Sequence, residues 1–195
     1  MKLRLIYLAA GNSRRFGSNK LLYEWEGKPL YRHLLDRLVR ICARRQEWEV
    51  VVVTQYPGIY EEMARSNIQA VFSPDSHKGA SYSIRAGLQA AADAQACVFC
   101  VADQPFLTEE SAETFLETME RQQADLGCVV CGSKTGNPVW FSQKYFRELS
   151  ELKDDQGGRK VLKKHLEEAV LFAVENEREL KDIDTADFLE SRYSL

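Results

Sequence analysis

The sequence predicts an α/β fold, with a mostly parallel central sheet and helices on both faces. Three observations point there. Apolar runs of strand length alternate with segments of helical spacing up to about residue 133. The runs "LRLIYLAA" (3–10) and "EVVVVTQ" (49–55) are continuously apolar, as in strands buried on both faces. A glycine-bearing basic turn follows the first run directly, at the strand end where an open parallel sheet binds its ligands.

After the 3–10 strand, "KPLYRHLLDRLVRICARR" (28–45) carries Leu30, Leu34, Leu35, Leu38 and Ile41 at helical spacing, with Pro29 near the helix start. The 49–55 strand follows, then a short helix at 60–67 and a strand at 68–74. An Ala-rich helix covers 83–94, and "ACVFCVADQP" (96–105) is a strand running into a Pro-terminated turn. Thr108 reads as the N-cap of a helix over 108–123, with acids in its first turn. Residues 126–132 form another strand. The rhythm then changes: a short strand at 136–141, helices at 142–149 and 157–168, a strand at 169–175 and a closing helix at 185–193. No linker, repeat or low-complexity tract divides the chain, so residues 1–195 read as a single domain.

The chain has 195 residues, 45% hydrophobic and 28% charged, enough to bury a core without staples. Its net charge of -3 argues against bulk attraction to nucleic acid or an anionic membrane. The start resembles a first strand more than a signal peptide, and no apolar stretch reaches membrane-span length. Five cysteines, an odd number, favour a reducing cytoplasm.

The opening loop, "LAAGNSRRFGSNKLL" (8–22), holds the chemistry. Gly11 and Gly17 permit backbone turns whose N–H groups point at phosphate oxygens, and Arg14, Arg15 and Lys20 add positive charge. A triphosphate fits these requirements, whereas a tight turn with solvated cations is the plain alternative. Neither G-x-G-x-x-G nor the Walker pattern is present, which disfavours an NAD enzyme and a P-loop NTPase.

This loop resembles the signature of the MobA-like nucleotidyltransferases, L-A-A-G-x-S-x-R-x-G-x-x-K, through Gly11, Ser13, Arg15, Gly17 and Lys20. Further segments match in order: "KGASYSIRAGL" (78–88), "VADQPFLT" (101–108), "GNPVWF" (136–141), "DDQGGR" (154–159) and "DIDTADF" (182–188). Within the group the chain is most similar to the molybdenum cofactor cytidylyltransferases. The resemblance implies a three-layer, Rossmann-like nucleotidyltransferase fold. It implies nucleotide binding by Leu8, Ala9, Ala10, Gly11, Ser13, Arg15, Gly17 and Lys20, with Gly79, Ser81 and Ser83. Arg15, Lys20 and Asp103 would be catalytic.

Asp103 stands at the end of a central strand, where a turn-capping role is the plain reading. Attack on a nucleotide α-phosphorus favours Mg²⁺ held by one or two carboxylates, phosphate oxygens and water. The resemblance gives that role to Asp103, with Asp184 as second ligand; Asp182 is left open. Ile183 is expected to point into the core, and Thr185 to cap the closing helix. At least one of Ser81 and Ser83 is expected to cap the middle helix. Asn137, Pro138, Gly157, Gly158 and Arg159 would bind the acceptor, the last three at a helix N-terminus beside a guanidinium.

The implied reaction is transfer of CMP from CTP to a molybdopterin acceptor, with a molybdenum hydroxylase as a downstream partner. Guanylyl transfer to the same acceptor and nucleotidyl transfer to a sugar phosphate use the same loop. A non-catalytic molybdopterin carrier and a nucleotide-binding regulator are alternatives of another class. The pairs Cys97/Cys100 and Cys128/Cys131 tempt a zinc reading, but residues three apart on a strand point to opposite faces. His33 and His165 read as surface or boundary residues of helices, and His77 precedes the middle loop.

Overall fold

The structure is a computed structural model and describes residues 1–12 and 19–183. The expected helix 185–193 with its Thr185 cap, and the loop residues Ser13, Arg14, Arg15 and Gly17, lie outside the described residues.

The first strand, β1 (Leu3–Leu8), lies inside the sheet, flanked in parallel by β4 (Trp48–Thr54) and β6 (Ala96–Val101). With β5 (Gln69–Phe72), β7 (Leu126–Cys131), β8 (Lys134–Ser142) and β9 (Val170–Ala173) they form a seven-stranded sheet in the order β5-β4-β1-β6-β8-β7-β9. Only β8 runs against the rest, pairing antiparallel with both β6 and β7. It returns from β7 through the two-residue turn Gly132–Ser133, where Gly132 takes a φ of +57°. The strand expected at 136–141 is therefore longer and interior to the sheet. Its partners are fixed by pairing across the sheet, which periodicity does not carry.

Two helical layers cover the sheet. Helices α1 (Leu30–Ala43), α2 (Pro57–Arg65) and α4 (Glu109–Arg121) pack Leu35, Leu38, Met63, Phe115 and Leu116 onto Leu5, Tyr7, Val50, Val98 and Trp140. Helices α3 (Ala80–Ala90), α5 (Phe146–Ser150) and α6 (Gly158–Lys164) pack Ile84, Leu149, Val161 and Leu162 onto Ile6, Val51, Val53, Phe99 and Phe141. The alternation of β1 explains the split, since Leu5 and Tyr7 face one layer and Ile6 the other. The expected three-layer α/β fold with a mostly parallel sheet is what forms.

The cysteines follow the same alternation. Cys97 packs in one layer and Cys100 in the other; Cys128 and Cys131 divide the same way. Thr108 caps α4, its Oγ1 accepting from the Ser111 N–H at 3.0 Å.

Three local expectations need correction. α1 begins at Leu30, because Lys28–Pro29 forms β3, the second strand of a hairpin with β2 (Glu24–Trp25). α3 begins at Ala80, three residues early, with Gly79 as N-cap and no side-chain cap, so neither Ser81 nor Ser83 caps it. His33 is buried, not at the surface. Its Nε2 lies 2.8 Å from the Trp25 carbonyl oxygen, which can only accept, so that nitrogen carries the proton. Burial, then the cations Lys28 and Arg37, hold its imidazole below the usual range.

Candidate functional site

A cleft of about 240 Å³ opens beyond the C-terminal ends of β1 and β6. Each wall has a local cause. β1 ends at Leu8, and Ala10, Gly11 and Asn12 continue along the cleft. A hydrogen-bonded clasp holds this stem. Gln55 Nε2 donates to the Ala10 carbonyl at 2.6 Å, Tyr56 Oη to the Gly11 carbonyl at 2.5 Å, and Asn12 Nδ2 to the His77 carbonyl at 2.8 Å. Gln55 and Tyr56 follow β4 and His77 lies in the 3-10 turn just before α3, so neighbouring elements brace the stem Ala10–Asn12.

Lys20 enters from a 3-10 turn at Lys20–Leu22 that Asn19 caps, its side-chain oxygen accepting from the Leu21 N–H at 3.1 Å. The Lys20 ammonium is 2.8 Å from Asp103 Oδ2 and donates to the Ile183 carbonyl at 2.9 Å. Lys20 is 8% exposed, so burying its charge is tolerable only with partners of this kind. Asp103 sits in the turn after β6, and its carboxylate stays partly open to the cleft. Ile183 is fully buried against Trp25 and Leu30, as expected, and its N–H donates to the Asp103 carbonyl at 2.9 Å.

The opposite wall comes from α3. Gly79 has a φ of +148°, a conformation side chains rarely adopt. A Cβ there would lie 2.3 Å from the Asp154 backbone, and the Ser81 N–H donates to the Asp154 carbonyl at 3.1 Å. This close approach brings Asp155 into the cleft lining beside Gly79 and Ser83. Ser83 donates to Ser76 at 2.8 Å, and Ser76 to Ser73 at 2.9 Å.

A smaller pocket of about 120 Å³ adjoins, lined by Asn137, Arg159, Thr135, Gln104 and Asp182. Asn137 reaches it where the β7–β8 register jumps, since Cys128 pairs with Val139 and Val129 with Gly136; Pro138, beside it, is buried and does not line the pocket. Gly157 caps α6 and Gly158 opens it, placing Arg159 at the pocket.

Of the residues expected to act, the structure brings together Leu8, Ala10, Gly11, Lys20, Gly79, Ser83 and Asp103 in one cleft, and Asn137 and Arg159 in the other. Ala9 lies in the core beneath, and Ser81 is fully buried with its hydroxyl unpartnered. Asp184 falls outside the described residues, as do Ser13, Arg15 and Gly17. Asp155, Asn12, Gln104 and Thr135 were not anticipated. The polar runs "GN" and "DDQ" are the only sequence signals for Asn12 and Asp155. Tyr7 donates to the Tyr31 carbonyl at 2.7 Å. Burial above all, with the nearby Asp103 carboxylate adding to it, keeps its hydroxyl protonated well above the usual range. A larger hollow of about 570 Å³ lies at the other end of the strands, against Cys42, Trp48 and Ile68. Among the described residues no lysine or arginine lines it, so these supply none of the charge that phosphates need.

Comparison with known proteins gives this arrangement a context. Residues 5–170 match the MobA-like NTP transferase domain. Purine catabolism protein PucB of Bacillus subtilis (strain 168) is 27% identical over 190 residues, covering 92% of this chain and 90% of that protein. A probable molybdenum cofactor guanylyltransferase of Pyrococcus horikoshii is 40% identical over 81 residues, 37% of this chain and 42% of its own. The molybdenum cofactor cytidylyltransferase of Escherichia coli (strain K12) is 30% identical over 106 residues, 53% and 52% of the two chains. Matches to these last two thus span about half of each relative or less. Among solved structures, Rv0371c of Mycobacterium tuberculosis H37Rv superposes with a TM-score of 0.82 at 22% identity, over 97% of this chain and 98% of that one. A manganese complex of Rv0371c gives 0.76 at 20% identity, over 98% and 100%.

Proposed function

The chain belongs to the MobA-like NTP transferases and is a nucleotidyltransferase, and from that premise we propose that it transfers CMP from CTP to a molybdopterin acceptor. One observation carries the assignment of the site: a buried lysine from a 3-10 turn paired to an aspartate just past the end of β6, Lys20 to Asp103 at 2.8 Å, with Gly11 in the same cleft. A buried cation and a half-open carboxylate at one cleft suit a polyphosphate and a divalent ion.

In this reading the amides around Gly11 to Gly17, with Arg15 and Lys20, hold the β- and γ-phosphates. Leu8 and Ala10 with Gly79 and Ser83 border the nucleoside, while Ala9 and Ser81 lie buried behind them. Asn137, Gly157, Gly158 and Arg159, with Pro138 buried beside Asn137, receive the acceptor, whose phosphate suits the Arg159 guanidinium. The donor set fits Mg²⁺: Asp103 offers hard carboxylate oxygens at the cleft, and Asp184 directly follows the anchored Ile183. When bound, the ion would supply charge neutralisation on the reacting phosphate. A terminal phosphate oxygen of the acceptor forms the new bond to the α-phosphorus of CTP, and the bond to pyrophosphate breaks. No covalent enzyme intermediate is needed, because the side chains position and screen charge. Action in the cytoplasm, with delivery to a molybdenum hydroxylase, completes the reading. None of the described helices is long and apolar enough to cross a membrane.

Guanylyl transfer to the same acceptor is the second reading, favoured by the similarity to the Pyrococcus horikoshii protein. Pyrophosphate release with each NTP and Mg²⁺, with and without molybdopterin, tests both. Release dependent on CTP and molybdopterin is expected. Release with GTP alone among the nucleotides selects the second reading, and molybdopterin binding without any release selects a carrier.

A further inference from the structure

Gln104 is a buried residue, 5% exposed, that the phosphate chemistry above leaves without a role. Its Nε2 donates to Asp182 Oδ1 at 2.5 Å and to the Leu180 carbonyl at 3.4 Å. One step along, the Ile183 N–H donates to the Asp103 carbonyl at 2.9 Å, and the Lys20 ammonium bridges the Asp103 carboxylate and the Ile183 carbonyl. Residues 180–183 are thereby stitched to the dipeptide Asp103–Gln104. Asp103 faces the larger cleft, while Gln104 and Asp182 line the smaller pocket. The same turn thus belongs to both. A glutamine amide does not titrate in the working range and offers two N–H donors to a carboxylate and a carbonyl. A hydrophobe of equal size would leave the Asp182 oxygen and the Leu180 carbonyl without this donor.

We propose that Gln104 is a positioning residue: its amide fixes the Asp182 carboxylate in the smaller pocket and sets that pocket's distance from Asp103. The proposal rests on the reading in which the cleft takes the nucleotide and the pocket the acceptor. Transfer requires the attacking oxygen within about 3.5 Å of the phosphorus and in line, so a small slip between the two pockets lowers turnover without touching nucleotide binding.

The test exchanges donor and acceptor. Gln104→Glu sets a second carboxylate against Asp182, and Gln104→Glu combined with Asp182→Asn restores the contact with roles reversed. Gln104→Glu is expected to bind CTP with Mg²⁺ within about twofold of wild type by calorimetry, while pyrophosphate release with molybdopterin falls about tenfold or more. The double variant should recover to within about threefold of Asp182→Asn alone. Unchanged release in Gln104→Glu overturns the proposal. So does parallel loss of CTP binding, turnover and melting temperature, which marks a structural role only. Hydrogen exchange gives an arm that needs no acceptor. The Ile183 amide should exchange about tenfold faster in Gln104→Glu and regain protection in the double variant; equal protection in all three overturns the proposal. Should wild type release no pyrophosphate with any nucleotide and acceptor, the functional reading fails, and the exchange arm still decides whether Gln104 anchors this segment.

Discussion

Replacing Gly79 with alanine tests how the cleft is built. The backbone there has a φ of +148° and a ψ of +165°, a region essentially closed to side chains, which costs about 1–3 kcal/mol to impose on alanine. The added Cβ would lie 2.3 Å from both the carbonyl carbon and oxygen of Asp154 and 2.7 Å from the Asp155 nitrogen. These are backbone atoms and cannot swing aside like a side-chain end. Relieving the overlap separates α3 from the 154–155 turn and lengthens the Ser81 N–H to Asp154 hydrogen bond, now 3.1 Å. Overpacking of this kind costs about a further 1–3 kcal/mol. The expected loss is therefore about 2–6 kcal/mol in urea unfolding. Because Asp155 and Gly79 both line the cleft, CTP affinity should fall as well, measured by calorimetry well below the unfolding transition. A Gly79→Ala protein within about 0.5 kcal/mol of wild type and with unchanged affinity would refute the packing argument.

Asp103→Asn should abolish pyrophosphate release, since an amide is a far poorer Mg²⁺ ligand than a carboxylate; near-normal release removes Asp103 from that role. Lys20→Ala should weaken CTP binding about 10- to 100-fold, the worth of a charge-assisted hydrogen bond, with a smaller loss for CMP; equal losses count against contact with the outer phosphates. His33 carries a pH prediction. Its folded pKa lies below the ordinary 6.5, so the unfolded chain binds more protons in that window and stability falls as pH drops through and below about 6.5. Denaturant midpoints between pH 7.5 and about 5 should fall less in His33→Gln than in wild type, and equal slopes would exclude His33 as the titrating group. Burial pushes the Cys42 and Cys97 thiols up to about 12. Iodoacetamide should spare both in the folded protein at neutral pH and modify them in denaturant; rapid native labelling would contradict their burial.

Sequence alone determined the layering of this protein. Continuous apolar runs such as "LIY" and "VVVV" leave a strand no polar face, so both sides must be covered. The amphipathic stripes at Leu34, Leu35 and Leu38 and at Phe115, Leu116 and Met119 cover one side, and Ile84, Leu149, Val161 and Leu162 the other. These are local, periodic signals, and so was the place of Asp103 at a strand end beside the glycine loop. Tertiary structure decided what depends on residues far apart in the chain. Pairing with both β6 and β7 turned a short strand into the antiparallel β8. The Asp154 carbonyl, not a serine, receives an N–H from the first turn of α3 and brings Asp155 into the cleft. The Trp25 hairpin buried a histidine whose helix position looked like a boundary. The bond from Gln104 to Asp182 joins residues 78 apart, so no window on the sequence contains both. Periodicity reports which face of an element is apolar. Only the packed chain fixes which donors and acceptors meet once water has been excluded from between those faces.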